Sequence, residues 1–279
     1  MATAAEPAAQ GQNNTWRANK MKLHFYKYQG TGNDFILLDN RHAAIHLTDE
    51  QVALLCHRRF GIGADGLMLL EQAPGMDFRM VYYNADGSES TMCGNGGRCI
   101  TAFAAKLGLV EKEASFIAID GPHQATIHAG TMISLRMQDV SHIDCYADHA
   151  ELNTGSPHYI RWVDDAAVTN VFEEGRRIRH QEQFGPKGIN VNFVQRLEDD
   201  RLFVRTYERG VEDETMSCGT GVTAAAIANA GDKTGSFTTG IETPGGHLTI
   251  AFRKDTAGTA TDVILTGPAT FVFEGNIEL

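Results

Sequence analysis

Cys93-Gly94-Asn95-Gly96-Gly97-Arg98-Cys99 and Cys218-Gly219-Thr220-Gly221 stand 125 residues apart and open the same kind of unit. In the first, a β-type run ending in Tyr83-Asn84 passes through Ala85-Asp86-Gly87-Ser88-Glu89-Ser90-Thr91-Met92 into the Cys-Gly loop. An alanine-rich helix is then predicted to about Leu107. In the second, a run ending in Arg205-Thr206-Tyr207 passes through Glu208 to Ser217 into the other loop, with an alanine-rich helix predicted to about Ala230. Gly108 and Gly231 fall where a helix is commonly closed by a left-handed glycine. Repetition at half-chain spacing predicts two related domains facing each other.

Outward from these units, β-type runs are predicted at 35–38, 78–83, 114–120, 124–128, 131–137, 157–163, 190–196, 202–206, 247–253 and 261–273. Thr48-Asp49-Glu50-Gln51 is a capping-box pattern that predicts a helix over 49–59, with Cys56 on its apolar stripe. A further helix is expected near 171–180, and the polar stretch 141–155 is expected to connect the domains. Many strands and few helices make an α+β protein with largely antiparallel pairing. Residues 1–20 carry no apolar segment of signal-peptide length and are expected to be a disordered extension, with folding starting at Met21.

Composition narrows the chemistry. The chain has 279 residues, 24 Lys+Arg against 35 Asp+Glu, and a formal net charge of −11. That balance argues against a nucleic-acid or anionic-membrane partner, both of which need clustered basic residues. No run reaches the ~18 apolar residues of a membrane span. A small-molecule substrate is the expected partner, and the sequence leaves a homodimer open. The five cysteines, Cys56, Cys93, Cys99, Cys145 and Cys218, form no CxxC pair and no secreted-type framework, which points to reduced thiols in the cytoplasm. The cluster His142 to His149 lacks a recognised metal-ligand spacing, so no metal is expected. Gly61-x-Gly63-x-x-Gly66 satisfies a dinucleotide fingerprint formally, but a helix precedes it and a strand follows, the reverse of what that motif requires.

A cysteine immediately before a helix sits at the positive end of the helix dipole beside unpaired amides. From such a position a thiol pKa falls from ~8.5 towards ~3.5–7.5, so Cys93 and Cys218 are expected to be partly thiolate at neutral pH. The glycines that follow let a carboxylate approach the amides. Two such loops at one cleft would set two sulfurs on opposite faces of an amino-acid α-carbon, with the carboxylate held by both helix ends. That arrangement suits removal of the α-proton from one face and its return on the other, and no signal demands pyridoxal phosphate or any other cofactor. The competing reading buries both cysteines as small residues before glycine-rich turns.

At these residues the chain resembles the diaminopimelate epimerases, cofactor-independent two-cysteine enzymes. The resemblance rests on Gly30-Thr31-Gly32-Asn33-Asp34-Phe35, Gly61-Ile62-Gly63-Ala64-Asp65-Gly66, Asn84-Ala85-Asp86-Gly87-Ser88, both Cys-Gly loops, Pro157-His158, Gly188-Ile189-Asn190-Val191-Asn192-Phe193, Tyr207-Glu208-Arg209-Gly210 and Pro244-Gly245-Gly246. It implies that Cys93 and Cys218 are the acid–base pair acting on LL- and meso-diaminopimelate, on the lysine and cell-wall route. It further implies that Gly94, Asn95, Gly219 and Thr220 hold the reacting carboxylate. Asn33, Asn84, Asn190, Glu208 and Arg209 would contact the rest of the substrate, and His158 and Glu208 would tune the thiols. The fold implied is two pseudo-symmetric domains, each a mostly antiparallel sheet wrapped on a central helix. They would span 21–140 and 141–268, with a final strand at 269–279 returning to the first. The chain departs from the family pattern at Gly66, where members often carry a glutamine that contacts substrate, and at Ser156, where they often carry an asparagine. A proline or hydroxyproline racemase-like enzyme of the same fold, and a redox-responsive ligand-binding protein in which Cys93 and Cys218 pair, are the alternative functions.

Overall fold

The two strand-turn-helix units are built alike in the computed structural model, which describes residues 21–279; the extension expected at 1–20 lies outside the described residues. The helices among the described residues are α1 (Asp49–Cys56), α2 (Gly94–Lys106), α3 (Val171–Arg179) and α4 (Gly219–Asn229), with one short 3-10 turn at Glu182–Phe184. Cys93 is the N-cap of α2 and Cys218 the N-cap of α4, both in extended backbone. Beyond α2, Gly108 at φ +73° lets its own amide reach Ala105 O and that of Leu109 reach Ala104 O, the paired bonds of a Schellman motif. Gly231, at φ +55°, closes α4 with a bond to Ala228 O.

The strands repeat one pairing pattern. Lys22–Gly30 pairs antiparallel with Asn33–Asp39, which runs parallel to Gly66–Glu71, which is antiparallel to Phe78–Asn84. Phe78–Asn84 takes a short antiparallel partner at Glu89–Ser90 and a parallel one at Glu113–Ala118, and antiparallel strands Gly121–Ile127 and Met132–Arg136 complete the series. The same succession of antiparallel and parallel pairs then runs through His149–Asn153, Pro157–Trp162, Asn190–Arg196, Leu202–Glu208, Asp213–Thr215, Gly235–Thr243, Gly246–Lys254 and Thr261–Pro268. Met132–Arg136 and Thr261–Pro268, the last strands of the two series, pair with each other and join the halves. Ile143–Cys145 lies on the nearby His149–Asn153, and Thr270–Glu278 returns from the end of the second series to lie on Lys22–Gly30.

Burial on both faces explains the continuous apolar runs. Phe35, Leu37, Met68 and Leu70 point into a large core around α2 and α4, while their neighbours Ile36, Leu38, Leu67 and Leu69 pack with Val52, Leu55 and Cys56 of α1. In the second half Val194, Leu202 and Val204 join the large core, and Tyr159, Val191, Phe193 and Tyr207 meet Val171 and Ile178 of α3. Helix α4 is apolar nearly all round because sheet surrounds it: Val222, Ala224, Ala225 and Ile227 are all fully buried. The fold is α+β, one large continuous sheet whose two pseudo-symmetric halves each wrap on a central helix. No helix among the described residues is long and apolar enough to cross a membrane.

Four local expectations change. The helix at 49–59 ends at Cys56, because Ile62 and Gly63 donate to Leu55 O while Arg58 reaches the carboxylates of Asp34 and Asp65. The stretch 141–155 is not a bare connector but holds two strands, with His142 paired to Asp144 and His149 set between Asp148 and Glu151. The run 261–273 divides at Ala269, whose amide turns away to Thr131 O. Gly235–Thr243 is a strand that its glycines and threonines concealed.

Candidate active site

Helices α2 and α4 meet end to end. An ideal Cβ on Gly219 would lie 3.2 Å from Gly94 Cα, and one on Gly94 would lie 3.5 Å from Gly219 Cα. A Cβ on Gly219 would be tighter than ordinary contact, and the close approach brings the unpaired first-turn amides of both helices to one place. Asn95 Nδ2 donates across the join to Ser217 O at 2.9 Å. Beneath it the fully buried Arg98 donates to Gly94 O, Asn95 Oδ1, Thr31 Oγ1 and Pro268 O, all neutral acceptors. Burial pulls its pKa down to about 10, which leaves a fixed positive charge under the two helix ends at neutral pH.

A cavity of about 660 Å³ opens above this join. Cys93, Cys218, Asn84, Asn190, Glu208, Arg209 and Thr220 line it, so most of the residues expected from both halves converge there. Strand register explains part of the grouping: His158 stands beside Asn190, and the next residues, Val191 and Tyr207, put Glu208 at the same end of the sheet. The Arg209 guanidinium makes no hydrogen bond or ion pair among the described residues, while its backbone amide is held by Asn190 Oδ1 at 2.9 Å. Two expected side chains turn elsewhere. Asn33 donates to Asp65 Oδ2 at 2.7 Å and accepts from Asn95 Nδ2 at 3.3 Å. Asn95 uses its amide on Asn33, Ser217 and Arg98, which leaves its backbone N–H as the group near the join.

The thiols differ from the sequence expectation. Cys93 Sγ accepts from the Gly96 amide at 3.2 Å, and Cys218 Sγ lies 3.5 Å from Thr220 Oγ1. Those donors and the amides around them favour thiolate, but burial disfavours it more strongly and the Glu208 carboxylate adds to the burial effect. Cys93 is pushed up to about 11 and Cys218 to about 12. Both therefore rest as thiols in the free protein at neutral pH, and one of them must give up its proton before it can act as a base. Alkylation of either cysteine by iodoacetamide is expected to keep accelerating about tenfold per pH unit beyond about pH 9, because thiolate is the reacting form. A rate that levelled off below about pH 8 would overturn that ordering.

Burial also sets the state of two neighbours. It raises the Glu208 carboxyl, with the Thr215 hydroxyl donating to Oε2 at 2.9 Å in opposition. His158 is fully buried and held down to about 3 by desolvation and by the charge of Arg209, so the imidazole is neutral. Its Nε2 lies 2.9 Å from Thr220 Oγ1 and its Nδ1 lies 3.0 Å from Asn192 Nδ2.

Tyr82 and Asn192 carry no sequence signal of a role, and Ser156 is marked in the sequence only as a departure from the family pattern. Tyr82 lines the cavity, and its ring fills the space over Gly66, where an added Cβ would come within 2.6 Å of Cε2. Any side chain at 66 therefore has no room here. Ser156, which also lines the cavity, accepts from Asn190 Nδ2 at 2.6 Å, which leaves its own proton free to point elsewhere. Asn192 is fully buried behind His158. Alternation in a strand marks such positions as inward-facing, but it does not tell a polar anchor from a core residue.

The sequence profile of the family described as diaminopimelate epimerase matches residues 25–143 and 151–272. The diaminopimelate epimerase of Flavobacterium psychrophilum is 50% identical over 262 residues, covering 92% of this chain and 100% of that protein. That of Chlorobaculum tepidum is 42% identical over 260 residues, covering 90% and 99%. Among solved structures, a phenazine biosynthesis protein of the PhzF family from Bacillus anthracis superposes with a TM-score of 0.74 at 15% identity, covering 92% of this chain and 99% of that one. At that identity the likeness shows the fold alone.

Proposed function

The chain belongs to the diaminopimelate epimerase family, and on that footing we propose that it interconverts LL- and meso-diaminopimelate by moving the α-proton between Cys93 and Cys218. The reaction serves lysine and cell-wall precursor formation, and we place it in the cytoplasm, where the five free cysteines stay reduced. The observation that carries the assignment is the end-to-end meeting of α2 and α4 at Gly94 and Gly219, with a cysteine capping each helix.

In one direction the thiolate of one cysteine takes the α-proton and becomes a thiol. The opposite thiol gives its proton to the other face and becomes the thiolate. The two sulfurs exchange states each turnover, and the same pair serves the reverse reaction. Between the transfers, negative charge spreads from the α-carbon into the carboxylate. The first-turn amides at Gly94, Asn95, Gly219 and Thr220 hold that carboxylate, with the Arg98 charge behind them, so the stabilising dipoles are in place before charge develops. A high thiol pKa suits the task once the proton is off, since the resulting thiolate is the stronger base towards carbon.

The far end of the substrate carries a second carboxylate and a second ammonium. Arg209, whose guanidinium is unengaged among the described residues, offers the carboxylate a fork, and Glu208, Asn84 and the Ser156 hydroxyl stand in the same cavity for the ammonium groups. A free proline substrate would leave that guanidinium unmatched, which is the reason for preferring the long substrate. The test is incubation of LL-diaminopimelate in deuterated water. Deuterium at the α-carbon together with formation of the meso isomer is expected; neither appearing with reduced, folded protein would refute the assignment, as would turnover of proline alone.

A further inference from the structure

The hydrogen bonds behind Cys218 fix one another's direction. Asn192 is fully buried, and Tyr159 O, which can only accept, lies 3.2 Å from its Nδ2, so that atom is the amide nitrogen. On the other side Thr206 Oγ1 donates to Asn192 Oδ1 at 2.9 Å. The second N–H of the amide points at His158 Nδ1, 3.0 Å away, so Nδ1 accepts and the imidazole proton sits on Nε2. Nε2 then donates to Thr220 Oγ1, which leaves the threonine hydroxyl proton for Cys218 Sγ at 3.5 Å. Packing keeps Asn192 there: an ideal Cβ on Gly221, in the first turn of α4, would fall 2.3 Å from Asn192 Oδ1 and 3.3 Å from His158 Cε1.

We propose that Asn192 is a positioning residue that holds His158 as the Nε2–H tautomer, so that Thr220 presents its proton to Cys218 and the string behind the sulfur has no outlet. An amide neither takes a proton from Nδ1 nor gives one up. A proton captured by Cys218 therefore cannot leave through His158, and it stays on the sulfur until it is returned to carbon. Every donor in the string points towards the sulfur, which offsets part of the cost of burying the thiolate. The inference rests on Cys218 being one of the acid–base pair proposed above. The charged or titratable groups that face the string are Arg209 beside His158, and Glu208 and Cys93 beside Cys218.

The decisive variant is Asn192→Asp, which has the same shape. A carboxylate at this position accepts from His158 Nδ1–H, so Nε2 becomes the acceptor for Thr220 and the thiol donates into the string. Cys218 then has a base within reach. Peptide-mapped alkylation of Cys218 near neutral pH is expected to quicken about tenfold or more, with its pH profile moved down by about one unit or more, while that of Cys93 stays put. An unchanged Cys218 profile in folded Asn192→Asp protein would overturn the proposal. Nitrogen-15 spectra of His158 in the unsubstituted protein decide independently of whether the variant folds: protonated Nε2 and bare Nδ1 are expected, and the opposite tautomer would overturn the proposal. Neither measurement uses diaminopimelate, so failure here leaves the epimerase assignment standing, and failure of turnover leaves the tautomer measurable.

Discussion

Cys93→Ala and Cys218→Ala are each expected to lower kcat/KM for both diaminopimelate isomers by roughly 10³-fold or more, within the range of a lost general acid or base. Each variant keeps one sulfur, yet a two-face proton transfer needs both, so each direction should fail in either protein. The double variant should be little worse than the singles, because the pair acts as a unit. Removing Cys93 also deletes the acceptor for the Gly96 amide, a lost cap worth ~1 kcal/mol, so thermal unfolding should accompany the kinetics. Either single variant retaining a tenth or so of the activity while folded would exclude the two-thiol mechanism.

Arg209→Met is expected to act on binding. The guanidinium has no partner among the described residues to lose, so stability should scarcely change. A bidentate hold on a carboxylate comprises two charge-assisted bonds of ~1.5–3 kcal/mol each, which predicts a fall in kcat/KM of about 10²-fold or more, carried mainly by KM. Arg209→Lys should recover only part, since an ammonium cannot form the fork. A change within about threefold in the methionine variant would remove Arg209 from substrate recognition.

What the sequence disclosed was mostly local. The capping box at Thr48, the glycines closing α2 and α4, and the repeated Cys-Gly loops are features of adjacent residues, and local chemistry sufficed to read them. The parallel pairings escaped, since nothing near Phe35 in sequence announces that Gly66 lies beside it. The thiols show the limit most clearly. Proximity to a helix end argued for a lowered pKa, but the sulfurs are buried, and desolvation depends on chain segments far away in sequence. Asn33 and Asn95 were legible as polar residues of the site, but the inward use of both amides depends on Asp65, Ser217 and Arg98. Asn192 lay within a quoted motif without drawing notice, because its meaning comes from His158 on the neighbouring strand.

The return of Thr270–Glu278 to Lys22–Gly30 bears on how the protein is made. Lys22–Gly30 leaves the ribosome long before Thr270–Glu278, and one of its edges stays open until that later strand emerges. The N-terminal half can wrap α2 early, but it cannot close its sheet with its own residues. The closing contact spans almost the whole chain, the kind of pairing that slows folding, and the waiting edge carries Leu23 and Phe25, both buried in the finished molecule. The N-terminal half is therefore not a free-standing piece, and a nascent chain stalled short of residue 270 presents a ready template for pairing with another chain.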